Sequence, residues 1–451
     1  MSAAERPWVG RRVHFVGVGG AGMSAYARAA HALGAEVSGS DVVESPFARA
    51  LAADGVLDAR IGHAAENVPA GADVELVYST AVAAENPERA AARERGLSER
   101  SRAELLGELS ALRRTIAVAG THGKTTTASM TVHALRAAGL DPGWLVGGAI
   151  GAGLPNAGWS AGEWLVVEAD ESDRSMLSLD AEVALLTNVE LDHHAAFSSL
   201  EDLRSAFREF LAGARHAVVW DRAELLALRE GPVVPYDAAG VALLAGGSSF
   251  DWHGLEVRLA VPGAHNAIDA AGALEVARIA GADIALAIEG LAAFRGAGRR
   301  FQRVGETAQG AQVYEDYAHH PTEIAATLQG ARTLVHERLV AVFQPHLYSR
   351  TAILAREFGI ALALADVIVV LDVYPARERA QEHPGVSGLL VAEAAADAAA
   401  GRPVYWLPRF ADAEPVLRAM LGEGDLVVVM GAGDVDTLAR ALTGAVGRAA
   451  G

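Results

Sequence analysis

The sequence contains no cysteine, which excludes disulfides, thiolate metal sites and a cysteine nucleophile. Lysine is nearly absent too. Of 38 basic side chains only Lys124 is a lysine; all the others are arginine. Positive charge is outnumbered, with 56 acidic side chains and a formal net charge of −18. A general nucleic-acid binder needs a basic face, so no nucleic-acid partner is expected. An anionic nucleotide remains compatible, because glycine loops and single cations hold phosphate locally. Long apolar runs are missing. The longest uncharged stretch, Pro142 to Gly162, holds seven glycines and two prolines, and reads as loops and short strands rather than a membrane helix. Met1 to Arg12 carries charge and no apolar run, so neither a signal peptide nor a membrane anchor is expected, and the cytoplasm is the expected location.

What is present is ordinary globular composition, 51% apolar and 21% charged over 451 residues, enough for several domains. Strand and helix signals alternate in three segments. The first opens with the apolar run Val13 to Val18, a helical run Met23 to Leu33, and strands at Glu36 to Ser40 and Val74 to Tyr78. The second opens with Thr115 to Ala119 and a helix from Thr126 to Ala138, then strands at Trp164 to Glu168 and Val183 to Thr187; residues 215–260 read as mixed. The third predicts strands at Gln312 to Tyr314, Leu339 to Phe343, Val367 to Leu371 and Leu426 to Met430. Such alternation means parallel sheets. Three α/β domains are expected, 1–110, 111–297 and 298–451.

The sharpest chemical signal is Gly120-Thr121-His122-Gly123-Lys124-Thr125-Thr126-Thr127 between a strand and a helix. Glycines let backbone N–H groups converge, the helix start adds a positive dipole end, the lysine reaches outer phosphates and the hydroxyl suits Mg²⁺. The residue six before the lysine is Val118, so the loop is shorter than the common phosphate loop. Other polar residues gather at predicted strand ends: Glu168 with Asp170, Glu171 and Asp173; Asn188-Val189-Glu190-Leu191-Asp192-His193-His194; and Asp316-Tyr317-Ala318-His319-His320-Pro321-Thr322-Glu323. Strand ends of parallel sheets face the ligand crevice. His265-Asn266 opens a helix, where Asn suits either a cap or an adenine contact. Arg299-Arg300-Phe301 lies at the second junction.

The shortened loop is similar to that of the Mur ligases and folylpolyglutamate synthetases. The Asp-Tyr-x-His-His-Pro-Thr-Glu run, and the loop Gly17-Val18-Gly19-Gly20-Ala21-Gly22-Met23, resemble the alanine-adding branch of the Mur ligase family, in the same order along the whole chain. The resemblance implies a Rossmann-like N-terminal domain that binds a UDP-sugar. It implies a central P-loop ATPase-like domain with a mostly parallel sheet, and a Rossmann-like C-terminal domain that takes the amino acid. It implies ATP and Mg²⁺ as cofactors and UDP-N-acetylmuramate and L-alanine as substrates of a monomer or homodimer. Gly120, Thr121, His122, Gly123, Lys124, Thr125 and Thr126 would hold the phosphates, and Thr125, Glu168 and His193 the metal. His265, Asn266, Arg300 and Asp316 would contact ATP. Gly19, Gly20, Gly22, Met23, Asp41 and Ser79 would bind the UDP-sugar, and Tyr317, His319 and Arg350 the amino acid. Lys124, His193, Arg300 and His319 are the expected catalytic residues, with His193 and His319 both candidates for the amine proton. A recycling ligase that adds a preformed tripeptide to the same sugar is the alternative. The first glycine loop with Asp41 also permits a dinucleotide enzyme, but that would leave Lys124 idle.

Overall fold

The computed structural model describes residues 6–192 and 196–444. Its residues cluster into two compact units, Met1–Asp237 with Ile268–Leu291, and Ala238–Ala267 with Ala292–Gly451.

The first unit holds two sheets. One is wholly parallel, in the order Arg60–Ile61, Glu36–Asp41, Arg12–Val16, Val74–Tyr78, Ser98–Ser101. Its strand order reverses beside Arg12–Val16, which opens a crevice at the carboxyl ends of that strand and Val74–Tyr78. The loop Gly17–Gly20 sits there and feeds the helix Ala21–Ala32. The second sheet runs Val234–Tyr236, His216–Trp220, Ala181–Leu186, Arg114–Ala119, Trp164–Glu168, Gly143–Leu145, Ala157–Gly158, parallel except for the last pair. Its central strands are buried on both faces, which is why they read as unbroken apolar runs rather than alternating ones. The two sheets share one apolar cluster: Phe15, Met23 and Tyr26 pack with Leu145, Ala157, Leu165 and Val167. The glycine-rich stretch 142–162 thus supplies short strands to a sheet, as its composition predicts.

The second unit contains a small antiparallel sheet, Ala239–Leu244, Gly247–Trp252 and Leu255–Leu259. The turn His253-Gly254 has both residues at positive φ, 52° and 82°, the geometry of a two-residue hairpin. Its main sheet runs Gln302–Glu306, Gln312–Asp316, Asp425–Met430, Arg338–Phe343, Val367–Val370, Val404–Trp406, with only the first pair antiparallel. The strands Gln312–Asp316, Arg338–Phe343 and Asp425–Met430 therefore end together, and bring three loops to one edge.

A buried polar knot ties the first sheet to its crossover. Glu88, fully buried, accepts hydrogen bonds from Ser40 at 2.7 Å and Asn67 at 2.9 Å, and pairs with His14 at 2.9 Å and His63 at 3.1 Å. Burial alone would raise its pKa; the His14, Asn67 and Ser40 contacts outweigh burial and hold it down at about 2. A carboxyl lowered on folding adds stability above its unfolded pKa, and that stability is lost as pH falls toward 2. Glu88→Gln keeps the size and removes the charge. We expect it to cost about 3–5 kcal/mol, the scale of breaking a buried pair. Urea unfolding at pH 7 followed by far-UV circular dichroism reads this, with the difference from the parent chain shrinking between pH 4.5 and 2.

Candidate active site

The loop Gly120–Gly123 is shaped by backbone that only glycine accepts easily. Gly120 has φ 137° and Gly123 φ 82°. Gly120 also lies so close to the next strand end that a Cβ would meet Thr187 Oγ1 at 2.0 Å. A Cβ on Gly123 would meet the Asp269 carboxylate at 2.8 Å. The end of strand Ala181–Leu186 cradles the loop. Asn188 Oδ1 accepts the His122 N–H at 2.9 Å, the Asn188 carbonyl accepts the Thr121 N–H at 3.2 Å, and Thr187 Oγ1 donates to the His122 carbonyl at 2.6 Å. Thr121 Oγ1 donates to the Glu190 carbonyl, and His122 Nε2 lies 2.8 Å from the Glu190 carboxylate.

The helix Lys124–Ala137 starts on the lysine itself. Lys124 Nζ donates to the carbonyls of Gly120 at 2.6 Å and Thr121 at 3.1 Å, and pairs with Glu171 at 2.8 Å. Burial would lower the ammonium's pKa; the charges of Glu171, Asp170 and Glu168 reverse this and raise it, so the group stays cationic. Thr126 is buried behind it. Thr125 Oγ1 lies 3.0 Å from both oxygens of Glu168, and Glu168 also accepts the Gly147 N–H at 2.6 Å. A hydroxyl and a carboxylate converging at a phosphate loop are the hard oxygen donors that Mg²⁺ takes. His193, the third expected metal ligand, lies outside the described residues.

The acids after Glu168 are not a solvated turn. Asp170 and Asp173 both pair with Arg102, at 3.3 and 3.0 Å. Burial works against ionisation of Asp170, yet Arg102 and Lys124 bring its pKa down to about 2. Glu171 was noted among the acids at this strand end but given no role, and Arg102 escaped sequence reasoning. Arg102 sits in another segment, with nothing local to mark it.

In the first crevice, the Gly19 N–H donates to Asp41 at 2.8 Å, and Ser45 Oγ to the Gly19 carbonyl at 2.7 Å. Asp41 thus braces the glycine loop. Gly20 and Gly22 lie at the start of the following helix, and Ser79 N–H donates to the Val16 carbonyl across the crevice. The Met23 side chain is buried in the apolar core, which leaves its backbone for the contact the loop is expected to make.

In the second unit Asn266 is buried and its side-chain N–H donates to the Pro262 carbonyl at 2.7 Å, while His265 is exposed beside Gly263. The distinctive run after Asp316 divides in two. His320, Pro321 and Glu323 start a helix: His320 caps it, and the Glu323 carboxylate accepts the His319 and His320 N–H groups. Tyr317 and His319 carry the aromatic chemistry, with rings 5.4 Å apart. His319 faces His346 at 6.0 Å, and His346 stacks on Tyr374 at 5.7 Å. Arg350 is buried, with Nη1 3.1 Å from His346 Nδ1. Tyr317, His319 and Arg350 are thus linked through His346, which with Tyr374 was not singled out from sequence. Burial pushes Asp316 up to about 6, against the pull of Arg300 and of the Ala318 and Phe301 N–H groups.

Glycine loops at strand ends, one with a buried lysine and an adjoining oxygen pair, define a protein that handles phosphorylated substrates. Three family models match in sequence: "Mur ligase family, catalytic domain" over residues 12–114, "Mur ligase middle domain" over 118–277, and "Mur ligase, glutamate ligase domain" over 299–433. The chain belongs to the Mur ligase family. It is 45% identical over 442 residues to the UDP-N-acetylmuramate–L-alanine ligase of Rubrobacter xylanophilus, covering 94% of this chain and 97% of that one. It is 44% identical over 481 residues to the enzyme of that name from Saccharopolyspora erythraea, covering 100% and 96%. The crystal structure of the UDP-N-acetylmuramate–alanine ligase of Thermotoga maritima is similar with a TM-score of 0.83 and 27% identity, covering 96% of this chain and 98% of that one. Among the described residues no helix is long and apolar enough to cross a membrane.

Crowding at Gly120 gives a direct test. Gly120→Ala forces the loop off Thr187, and we expect ADP binding, measured by titration calorimetry, to weaken at least ~30-fold (about 2 kcal/mol). Gly139→Ala, also at positive φ (78°) but with nothing within 4 Å, should leave ADP binding unchanged.

Proposed function

We propose that this chain joins L-alanine to the lactyl carboxylate of UDP-N-acetylmuramate at the expense of ATP, releasing ADP and phosphate, in the cytoplasm and on the route to peptidoglycan. The observation that carries the reading is the chain's single lysine, part-buried in a glycine loop and kept protonated by acids of the next strand end. The names of relatives that align over nearly the whole chain supply the substrates.

In the first step a carboxylate oxygen attacks the γ-phosphorus and ADP leaves, giving an acyl phosphate. Lys124 and the loop N–H groups offset the charge spreading over the transferred group. Arg300 adds a second cation, and His265 and Asn266 are assigned to the nucleotide. Thr125 and Glu168 would hold Mg²⁺, with His193 as a further ligand or a neighbour of its shell. Bound there, the ion would neutralise phosphate charge. In the second step the alanine nitrogen attacks the acyl carbon, loses a proton, and phosphate leaves as the amide forms. Arg350 holds the alanine carboxylate, and Tyr317 and His319 flank the amine, with His319 or His193 accepting the proton. Gly19, Gly20, Gly22, Asp41 and Ser79, with the Met23 backbone, form the UDP-sugar crevice.

Two measurements test this. ADP release from ATP and UDP-N-acetylmuramate, across L-alanine, glycine, L-serine and a tripeptide, should be fastest with L-alanine. Preference for the tripeptide would move the chain to the recycling reaction. Lys124→Ala should lower turnover by at least ~1,000-fold, in line with losing a main stabiliser of transition-state charge, while UDP-N-acetylmuramate still binds. Retained turnover would sink the assignment.

A further inference from the structure

Arg299, Arg300 and Phe301 form the lead-in to the strand Gln302–Glu306, and the residues on either side of Arg300 are both left-handed. Arg299 has φ 55° and Phe301 φ 47°. Side-chain-bearing residues stay in that region only where the surroundings over-determine them, and such outliers gather at functional sites. Here the surroundings are explicit. The Arg299 N–H donates to Gln302 Oε1 at 2.8 Å, its carbonyl accepts the Tyr317 N–H at 2.8 Å, and its guanidinium donates to the carbonyls of Gly431 at 3.0 Å and Gly433 at 3.1 Å. The Arg300 N–H donates to the Ala297 carbonyl at 3.1 Å. The Phe301 ring stacks on Tyr314 at 4.7 Å, and its N–H donates to Asp316 Oδ2 at 2.7 Å. The other Asp316 oxygen accepts the Ala318 N–H at 2.7 Å. One buried carboxylate therefore joins the strained segment to the strand end that carries Tyr317. The guanidinium carbons of Arg299 and Arg300 lie 4.8 and 5.0 Å from the Tyr317 ring.

We propose that Asp316 is a positioning residue: by clasping the Phe301 backbone it fixes the direction in which Arg300 leaves the chain. Both carboxylate oxygens accept an N–H, so the clasp needs the two-acceptor form. An asparagine would aim its NH₂ at one of the two donors. Arg300's part in phosphoryl transfer rests on the function proposed above; the clasp itself does not.

The experiment is amide hydrogen exchange on the ligand-free full chain together with steady-state kinetics, for Asp316→Asn and for the milder Gln302→Met. Gln302→Met removes only the acceptor for the Arg299 N–H. We expect exchange in residues 299–303 to rise about tenfold in Asp316→Asn and less in Gln302→Met, while other segments are unchanged. We expect kcat of Asp316→Asn to fall about tenfold or more with the KM for ATP within about threefold, because a misdirected Arg300 is felt in the transition state. Unchanged exchange, or unchanged kcat where exchange has risen, overturns the proposal. A raised KM for ATP with unchanged exchange makes Asp316 a nucleotide ligand instead. Should Asp316→Asn fail to fold, exchange of the Phe301 and Ala318 amides in the parent chain decides: protection supports the clasp, and exchange at the unprotected rate overturns it. If the parent chain makes no amide, the proposed function fails while the exchange comparison still stands.

Discussion

An ammonium drawn largely out of water must be paired, and the architecture around Lys124 follows from that constraint. Taken out of water without partners the charge would be lost to a pKa shift. Three acceptors prevent this: two carbonyls of the lysine's own loop and the carboxylate of Glu171. They come from two adjacent parallel strands, Arg114–Ala119 and Trp164–Glu168, whose carboxyl ends lie side by side. Glu171 in turn sits in an acidic segment that would repel itself were Arg102 not paired with Asp170 and Asp173. The third neighbour, Ala181–Leu186, contributes Thr187 and Asn188, which fix the loop through its backbone. The sheet thus acts as a jig in which each strand end holds one side of the glycine loop.

Much of this was legible in the residues, for reasons that differ by feature. The parallel strands were readable because burial on both faces leaves continuous apolar runs, as in Ile116 to Ala119. The phosphate loop was readable because positive φ demands glycine at 120 and 123, and a lone lysine stands out against a background of arginine. The hairpin within 239–259 was not legible. Its strands are half exposed, with weak alternation, and one two-residue turn, His253-Gly254, carries most of the information. Arg102 was invisible because its meaning depends on partners some 70 residues away. The His-His-Pro-Thr-Glu run looked like a single chemical motif. Half of it is a helix start, in which His320 and Glu323 satisfy backbone N–H groups that would otherwise lack partners.

Strain and rigidity are distributed unevenly. The first unit spends glycine where the backbone must approach other groups closely, at Gly19, Gly120 and Gly123. The second unit instead forces arginine and phenylalanine into left-handed geometry at 299 and 301, and offsets the cost with a dense set of backbone contacts. Glycine there would supply the same turn without fixing a direction. Side chains at those positions tie down the segment on both sides of Arg300.

The central claim is that the sugar's carboxylate is phosphorylated before the amine attacks. Oxygen labelling reads this directly. With ¹⁸O in the lactyl carboxylate of UDP-N-acetylmuramate, turnover with ATP and L-alanine should deliver one labelled oxygen to the released phosphate, detected by mass spectrometry. Unlabelled phosphate alongside amide formation would contradict the account.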